Sequence, residues 1–183
     1  MNNQRIELLN PESKFDNIGI YIITNEKHQD GRGTFLESFK FTKILAEADV
    51  EFHPAQQNTV TSTKNVFRGI HKSNLQNKLI SCIYGEIIDF AIDLREESSN
   101  YGSRYAIPLS DKQPTSILIP KGFGHGYFVK SDFAIVSYLV DHEYLAGEEE
   151  NFSGKQLVSK LNLCNESDLV LSEKDSQSPY LPS

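Results

Sequence analysis

Lys78-Leu79-Ile80-Ser81-Cys82-Ile83-Tyr84, then Gly85-Glu86, then Ile87-Ile88-Asp89-Phe90-Ala91-Ile92-Asp93-Leu94, is the stretch whose reading decides the fold. Both apolar runs have strand length, and glycine punctuates them. Asp89 and Asp93 stand four apart, which puts both on one face of a strand. Working outward, similar runs recur. Downstream are Ser116-Ile117-Leu118-Ile119-Pro120, Tyr127-Phe128-Val129 and Phe133-Ala134-Ile135-Val136-Ser137-Tyr138-Leu139-Val140. Upstream are Asn65-Val66-Phe67-Arg68-Gly69-Ile70-His71, Thr34-Phe35-Leu36-Glu37-Ser38-Phe39 and Ile18-Gly19-Ile20-Tyr21-Ile22-Ile23-Thr24. His28-Gln29-Asp30-Gly31-Arg32-Gly33 reads as a turn, and residues 41–48 as an early helix with Ile44 and Leu45 as its apolar contacts. Many short strands with regularly spaced turn signals predict an all-β sandwich or barrel.

The bulk properties agree. With 183 residues, 38% hydrophobic and 23% charged, the chain favours one domain with one sizeable core and is not a disordered chain. After Val140 the apolar pattern weakens. Glu148-Glu149-Glu150 reads as a solvated charge run, and the segment from about residue 141 is expected to wrap the barrel within a single domain spanning 1–183. No apolar run approaches the roughly 18–20 residues of a membrane span, and the first residues carry no secretory pattern. A net charge of −7 disfavours binding to phosphate backbones, so no nucleic-acid partner is expected, while a few cations converging in one cleft could still hold a small anion. The two cysteines, Cys82 and Cys164, make neither a zinc site nor a disulfide framework, which points to the reducing cytoplasm.

Of the five histidines, His71 and His125 have unusual surroundings. His71 ends Arg68-Gly69-Ile70-His71, a strand that brings a cation and an imidazole together. His125 sits in Pro120-Lys121-Gly122-Phe123-Gly124-His125-Gly126, a turn stripped of side-chain bulk. The latter pattern resembles the second motif of cupin β-barrels. The metal-binding His-x-His of many cupins is missing, because Gly69 stands two before His71, so no metal is expected.

In order and spacing the motifs resemble the dTDP-4-dehydrorhamnose 3,5-epimerase family, a metal-free cupin branch, from about Asp30 to Asp175. The pieces are Asp30-Gly31-Arg32-Gly33-Thr34-Phe35-Leu36-Glu37, Gln57-Asn58, Arg68-Gly69-Ile70-His71, Lys78-Leu79, Gly85-Glu86-Ile87-Ile88-Asp89, the 120–126 turn, Tyr138, Tyr144 and Leu171-Ser172-Glu173-Lys174-Asp175. The resemblance implies a cupin-type double-stranded β-helix, or jelly roll, with a few short helices. It also implies inversion of C3 and C5 in a nucleotide-linked 4-keto-6-deoxyhexose, with no cofactor, in a homodimer. Both protons are α to the ketone, so the chemistry needs a base on one face, an acid on the other and a cation for the enolate oxygen. By resemblance His71 is the base, Asp175 orients it, Lys78 faces the C4 oxygen and Tyr138 is the acid. Arg32 and Arg68 match diphosphate cations. Phe35 and Tyr144 match aromatics near the base, and Glu37, Gln57 and Asn58 match polar contacts to the nucleotide, Glu37 across a dimer. His125 and Asp89 match pocket residues, and Glu149 is grouped with the substrate contacts. Departures are Lys72-Ser73-Asn74 after His71, and Asn151-Phe152-Ser153-Gly154 where the family has a Trp-containing turn. A single-centre epimerase and a non-catalytic sugar-binding cupin are the alternatives.

Overall fold

A computed structural model describes residues 5–8, 19–48 and 50–182. Ile18 and the side chain of Leu45 lie outside the described residues. The strands are β1 (Arg5–Leu8), β2 (Tyr21–Thr24), β3 (Lys27–Asp30), β4 (Gly33–Leu36), β5 (Gln56–Thr63), β6 (Phe67–Ser73), β7 (Lys78–Tyr84), β8 (Glu86–Asp93), β9 (Arg104–Ser110), β10 (Thr115–Ile119), β11 (Phe123–Val129), β12 (Phe133–Val140) and β13 (Glu149–Asn151). The helices are α1 (Phe41–Glu47), α2 (Lys155–Lys160) and α3 (Glu173–Gln177). None is long and apolar enough to cross a membrane.

Two antiparallel sheets face each other, in the orders β1-β2-β10-β7-β12-β5 and β13-β6-β11-β8-β9. This is the cupin-type jelly roll. Alternation along the strands explains why the deciding runs are apolar without a break. On β7, Ile80 and Cys82 point between the sheets, where they meet Ile87, Ala91, Val129 and Val136. Leu79 points the other way, into a second cluster with Ile23, Leu118, Phe52 and Ile44 of α1. On β8, Phe90 and Ile92 also point outward, under Leu157 and Val158 of α2 and Leu181. Covering the outer faces removes the need for a polar face on the central strands.

Three local expectations change. Residues 28–33 are a hairpin, not a bare turn: Asp30 pairs with Gly33 across Gly31-Arg32. Sequence reading passed over β9, an edge strand with alternating exposure and Pro108 in its middle, a residue tolerated only at sheet edges. The tail from Asn165, expected to be irregular, contains the short helix α3, which carries Asp175 to His71.

The strand that shapes the site is β6. His125 is opposite His71, yet Tyr127 is opposite Arg68, so two steps on β11 match three on β6. That extra residue is a bulge. It turns both Arg68 and His71 to the cavity, while Phe67 and Ile70 pack outward. Gly69 makes it possible: its φ is +112°, and a Cβ there would sit 2.6 Å from the His125 carbonyl oxygen and 2.7 Å from the Gly126 Cα.

Candidate active site

At one end of the barrel the inward-facing residues change from apolar to polar, and the sheets enclose a cavity of about 600 Å³. Its two walls carry different chemistry. His71 comes from β6 in the five-stranded sheet, and Tyr138 and Lys78 from β12 and β7 in the six-stranded sheet. An imidazole and a phenol therefore line one space from opposite sides.

Asp175 reaches His71 from 104 residues away, with Oδ1 2.8 Å from His71 Nε2. It stands in the first turn of α3, where Ser172 caps the helix by accepting the Asp175 backbone N–H at 3.0 Å. Burial pushes the Asp175 carboxyl up, but the hydrogen bond and charge of His71, the Ser172 hydroxyl and the Gly69 N–H outweigh it. The net effect holds the group below the usual carboxylate value. The carboxylate is thus ionised and positioned to stabilise an imidazolium.

Lys78 is only 7% exposed. Burial pushes its ammonium down, partly countered by the charge and hydrogen bond of Glu149 and the charge of Asp89. Its Nζ lies 3.7 Å from Glu149 Oε1 and 3.5 Å from the His71 carbonyl oxygen. Glu149 also faces Lys174, at 3.8 Å, and so balances two cations at the cavity wall. The Tyr138 phenol is pushed up by burial and by the charge of Glu149, with Arg68 acting the other way. It keeps its proton across the neutral range.

Around this group stand Asn58, Arg68, His125 and Tyr144. Arg68 Nε donates to Ser62 Oγ at 2.9 Å. His125 Nε2 is 2.9 Å from Asp89 Oδ2, and Asp89 lies wholly buried behind it rather than in the cavity wall. Among the described residues no three His, Cys, Asp or Glu side chains are grouped as metal ligands would be.

Within one chain five of the candidate residues do not join the cavity, Asp89 behind His125 and four others. Gln57 faces outward and donates to Ser137 Oγ at 3.0 Å. Arg32, Phe35 and Glu37 belong to the β3–β4 hairpin and the segment after it. Arg32 pairs with Asp30 at 2.7 Å, Phe35 is 66% exposed beside His28, and Glu37 pairs with Lys40 at 2.8 Å. Conversely, Gln56, Gln76 and Lys174 line the cavity and were missed. The period of two counted back from Asn58 would have found Gln56.

Comparison with known proteins decides what this arrangement belongs to. Residues 16–183 match the dTDP-4-dehydrorhamnose 3,5-epimerase family. The chain belongs to that family. The epimerase of Methanothermobacter thermautotrophicus is 37% identical over 163 residues, covering 86% of each chain. A dTDP-4-dehydrorhamnose 3-epimerase of Streptomyces niveus is 32% identical over 129 residues, 69% of this chain and 62% of that one. The dTDP-6-deoxy-D-glucose-3,5-epimerase of Legionella pneumophila, solved with dTDP-4-keto-L-rhamnose, superposes with a TM-score of 0.84. It is 28% identical, and the match covers 96% of this chain and 93% of that one.

Proposed function

We propose that the protein is a 3,5-epimerase of a dTDP-linked 4-keto-6-deoxyhexose of the dTDP-4-dehydro-6-deoxyglucose type, acting without a cofactor. The observation that carries this reading is the placement of His71 and Tyr138 on opposite walls of one cavity, with Lys78 on β7, the strand beside the one that bears Tyr138. His71, held by Asp175, takes the proton from the carbon next to the ketone. The electron pair moves onto the C4 oxygen, where the Lys78 ammonium stabilises the enolate. Tyr138 then delivers its phenolic proton to the opposite face, the electron pair returns to carbon, and the centre is inverted. Arg68, with its guanidinium on the cavity wall, suits the diphosphate.

The hairpin residues fit a homodimer in which Arg32, Phe35 and Glu37 serve the partner's cavity; an exposed cation, aromatic ring and carboxylate on one projecting element support this. We take the chain as one epimerase domain working in the cytoplasm.

Incubation with dTDP-4-dehydro-6-deoxyglucose in deuterium oxide tests the reading. Deuterium is expected at both C3 and C5, with formation of dTDP-4-dehydrorhamnose. The 3-epimerase among the relatives makes a single-centre enzyme the second reading, and label confined to C3 would establish it. Binding with no label at either carbon would leave a sugar-binding protein and overturn the catalytic assignment.

A further inference from the structure

The helix that delivers Asp175 cannot hold itself in place. α3 is Glu173-Lys174-Asp175-Ser176-Gln177, without one apolar side chain, and its only buried group is the carboxylate it presents to His71. So short a helix is not stable alone, and ordering it costs backbone entropy that a packed apolar face normally offsets. Its hold must come from the chain on either side. Upstream, the Phe67 N–H donates to the Val170 carbonyl at 2.9 Å and the Val170 N–H to the Asn65 carbonyl at 3.0 Å, which ties the approach to the start of β6. Downstream, the Ser153 N–H donates to the Pro179 carbonyl at 2.7 Å, and Arg104 Nη2 of β9 to the Pro182 carbonyl at 2.8 Å. Between those two bonds Leu181 turns inward. It is 5% exposed and belongs to the cluster of Phe67, Ile70, Phe90 and Leu157. From Ser172 to Pro182 it is the one buried apolar side chain.

We propose that Leu181 is a positioning residue for the His71–Asp175 pair: it anchors the chain beyond α3 to the back of β6 and so keeps Asp175 at His71. One strand is thereby used on both faces. His71 lines the cavity, while Phe67 and Ile70 on the other face belong to the cluster that seats Leu181. What the pair does in the reaction rests on the function proposed above; the anchoring rests on the packing of Leu181 and the bonds that flank it.

Two quantities are measured on the full chain: turnover at saturating dTDP-4-dehydro-6-deoxyglucose, and amide hydrogen exchange at Ser176, whose N–H donates to the Ser172 carbonyl at 2.9 Å. Leu157→Ala is the control. Leu157 of α2 is buried in the same cluster, so its truncation removes packing of the same kind without cutting the anchor of α3. In Leu181→Ala the Ser176 amide exchanges about 10-fold faster and turnover falls about tenfold. Leu157→Ala loses a similar amount of melting temperature but keeps both quantities within about twofold of the parent. Leu181→Met refills the site and restores both to within about twofold. In an Asp175→Asn background Leu181→Ala lowers turnover by less than about twofold more, because the carboxylate it positioned is gone. Should Leu181→Ala not fold, Leu181→Val gives the same order of effects on a smaller scale. Equal changes in Leu181→Ala and Leu157→Ala, or an undiminished loss in the Asp175→Asn background, overturn the proposal. Absence of turnover in the parent protein would instead count against the epimerase reading, and the exchange comparison would still decide the role of Leu181.

Discussion

Two histidine–aspartate pairs meet at this cavity, and they differ in everything except composition and distance. His71–Asp175 spans 2.8 Å and His125–Asp89 spans 2.9 Å. The first joins a strand to a helix cap and leaves the His71 side chain 28% exposed; the second lies between adjacent strands and leaves His125 10% exposed. Asp175 gathers hydrogen bonds from an imidazole, a hydroxyl and a backbone N–H, and its carboxyl is held below the ordinary value despite burial. Asp89 is wholly buried, one of its oxygens has no hydrogen-bond partner, and burial pushes its carboxyl up against the opposing pull of His125 and Lys78. The lesson is that burial alone makes a poor charge stabiliser. A carboxylate supports a histidine's positive charge only when its own charge is satisfied by other donors.

The comparison can be broken most severely at the first histidine. His71→Ala is expected to lower deuterium incorporation at C3 and C5 by about 1,000-fold or more, the scale of losing a general base. The fold should be kept with a melting temperature lowered by a few degrees, because buried Asp175 loses its imidazole partner but keeps its contacts to Ser172 and Gly69. Incorporation at the parent rate would remove His71 from the chemistry. The carboxylates give the next largest contrast. Asp175→Asn should cut turnover about 100-fold, whereas Asp89→Asn should cut it less than about tenfold, since a neutral amide still accepts from His125. Equal losses in steady-state assays would show that both pairs drive proton transfer.

The smallest effect is on stability against pH, and its sign separates the pairs. Asp175 titrates lower in the folded protein than in the unfolded chain, so the unfolded state binds more protons as pH falls. Its stabilisation is present above the unfolded carboxylate value of roughly 3.9 and is lost as pH falls through the folded value. Asp89 titrates higher when folded, so its burial penalty is present near neutrality and is relieved on acidification. Thermal unfolding of Asp175→Asn should therefore show a shallower decline between pH 5 and pH 3 than the parent, about 2–4 °C for each kcal/mol involved. Asp89→Asn should melt no lower than the parent at pH 7 and lose that advantage in acid. A steeper acid decline in Asp175→Asn would refute the assigned direction.

Much of this was legible in the chain itself. Period-two alternation and apolar runs cut by glycine gave the strands around the site, because they are dictated by backbone sterics and local burial. The stretch read as a turn over 120–126 turns only at 121–122, and Phe123, Gly124, His125 and Gly126 open β11. The family resemblance carried His71, Lys78, Tyr138 and Asp175. Gln57 was named where its neighbour Gln56 faces inward, since a one-residue step on a strand changes sides. The edge strand β9 was not legible, because one exposed flank and a proline dilute its pattern.

Sequence by itself determined the fold class, the chemical types at the site and the glycine at 69, without which β6 could not approach β11 so closely. Only tertiary structure decided that Arg68 and His71 share a face, because a bulge is defined against the partner strand. It also decided which histidine faces a carboxyl held below its ordinary value and which faces one pushed above it. Asp175 is 104 residues from His71 and Asp89 is 36 from His125, and the charge each carboxyl carries depends on donors and burial that exist only once the two sheets and the last helix have packed.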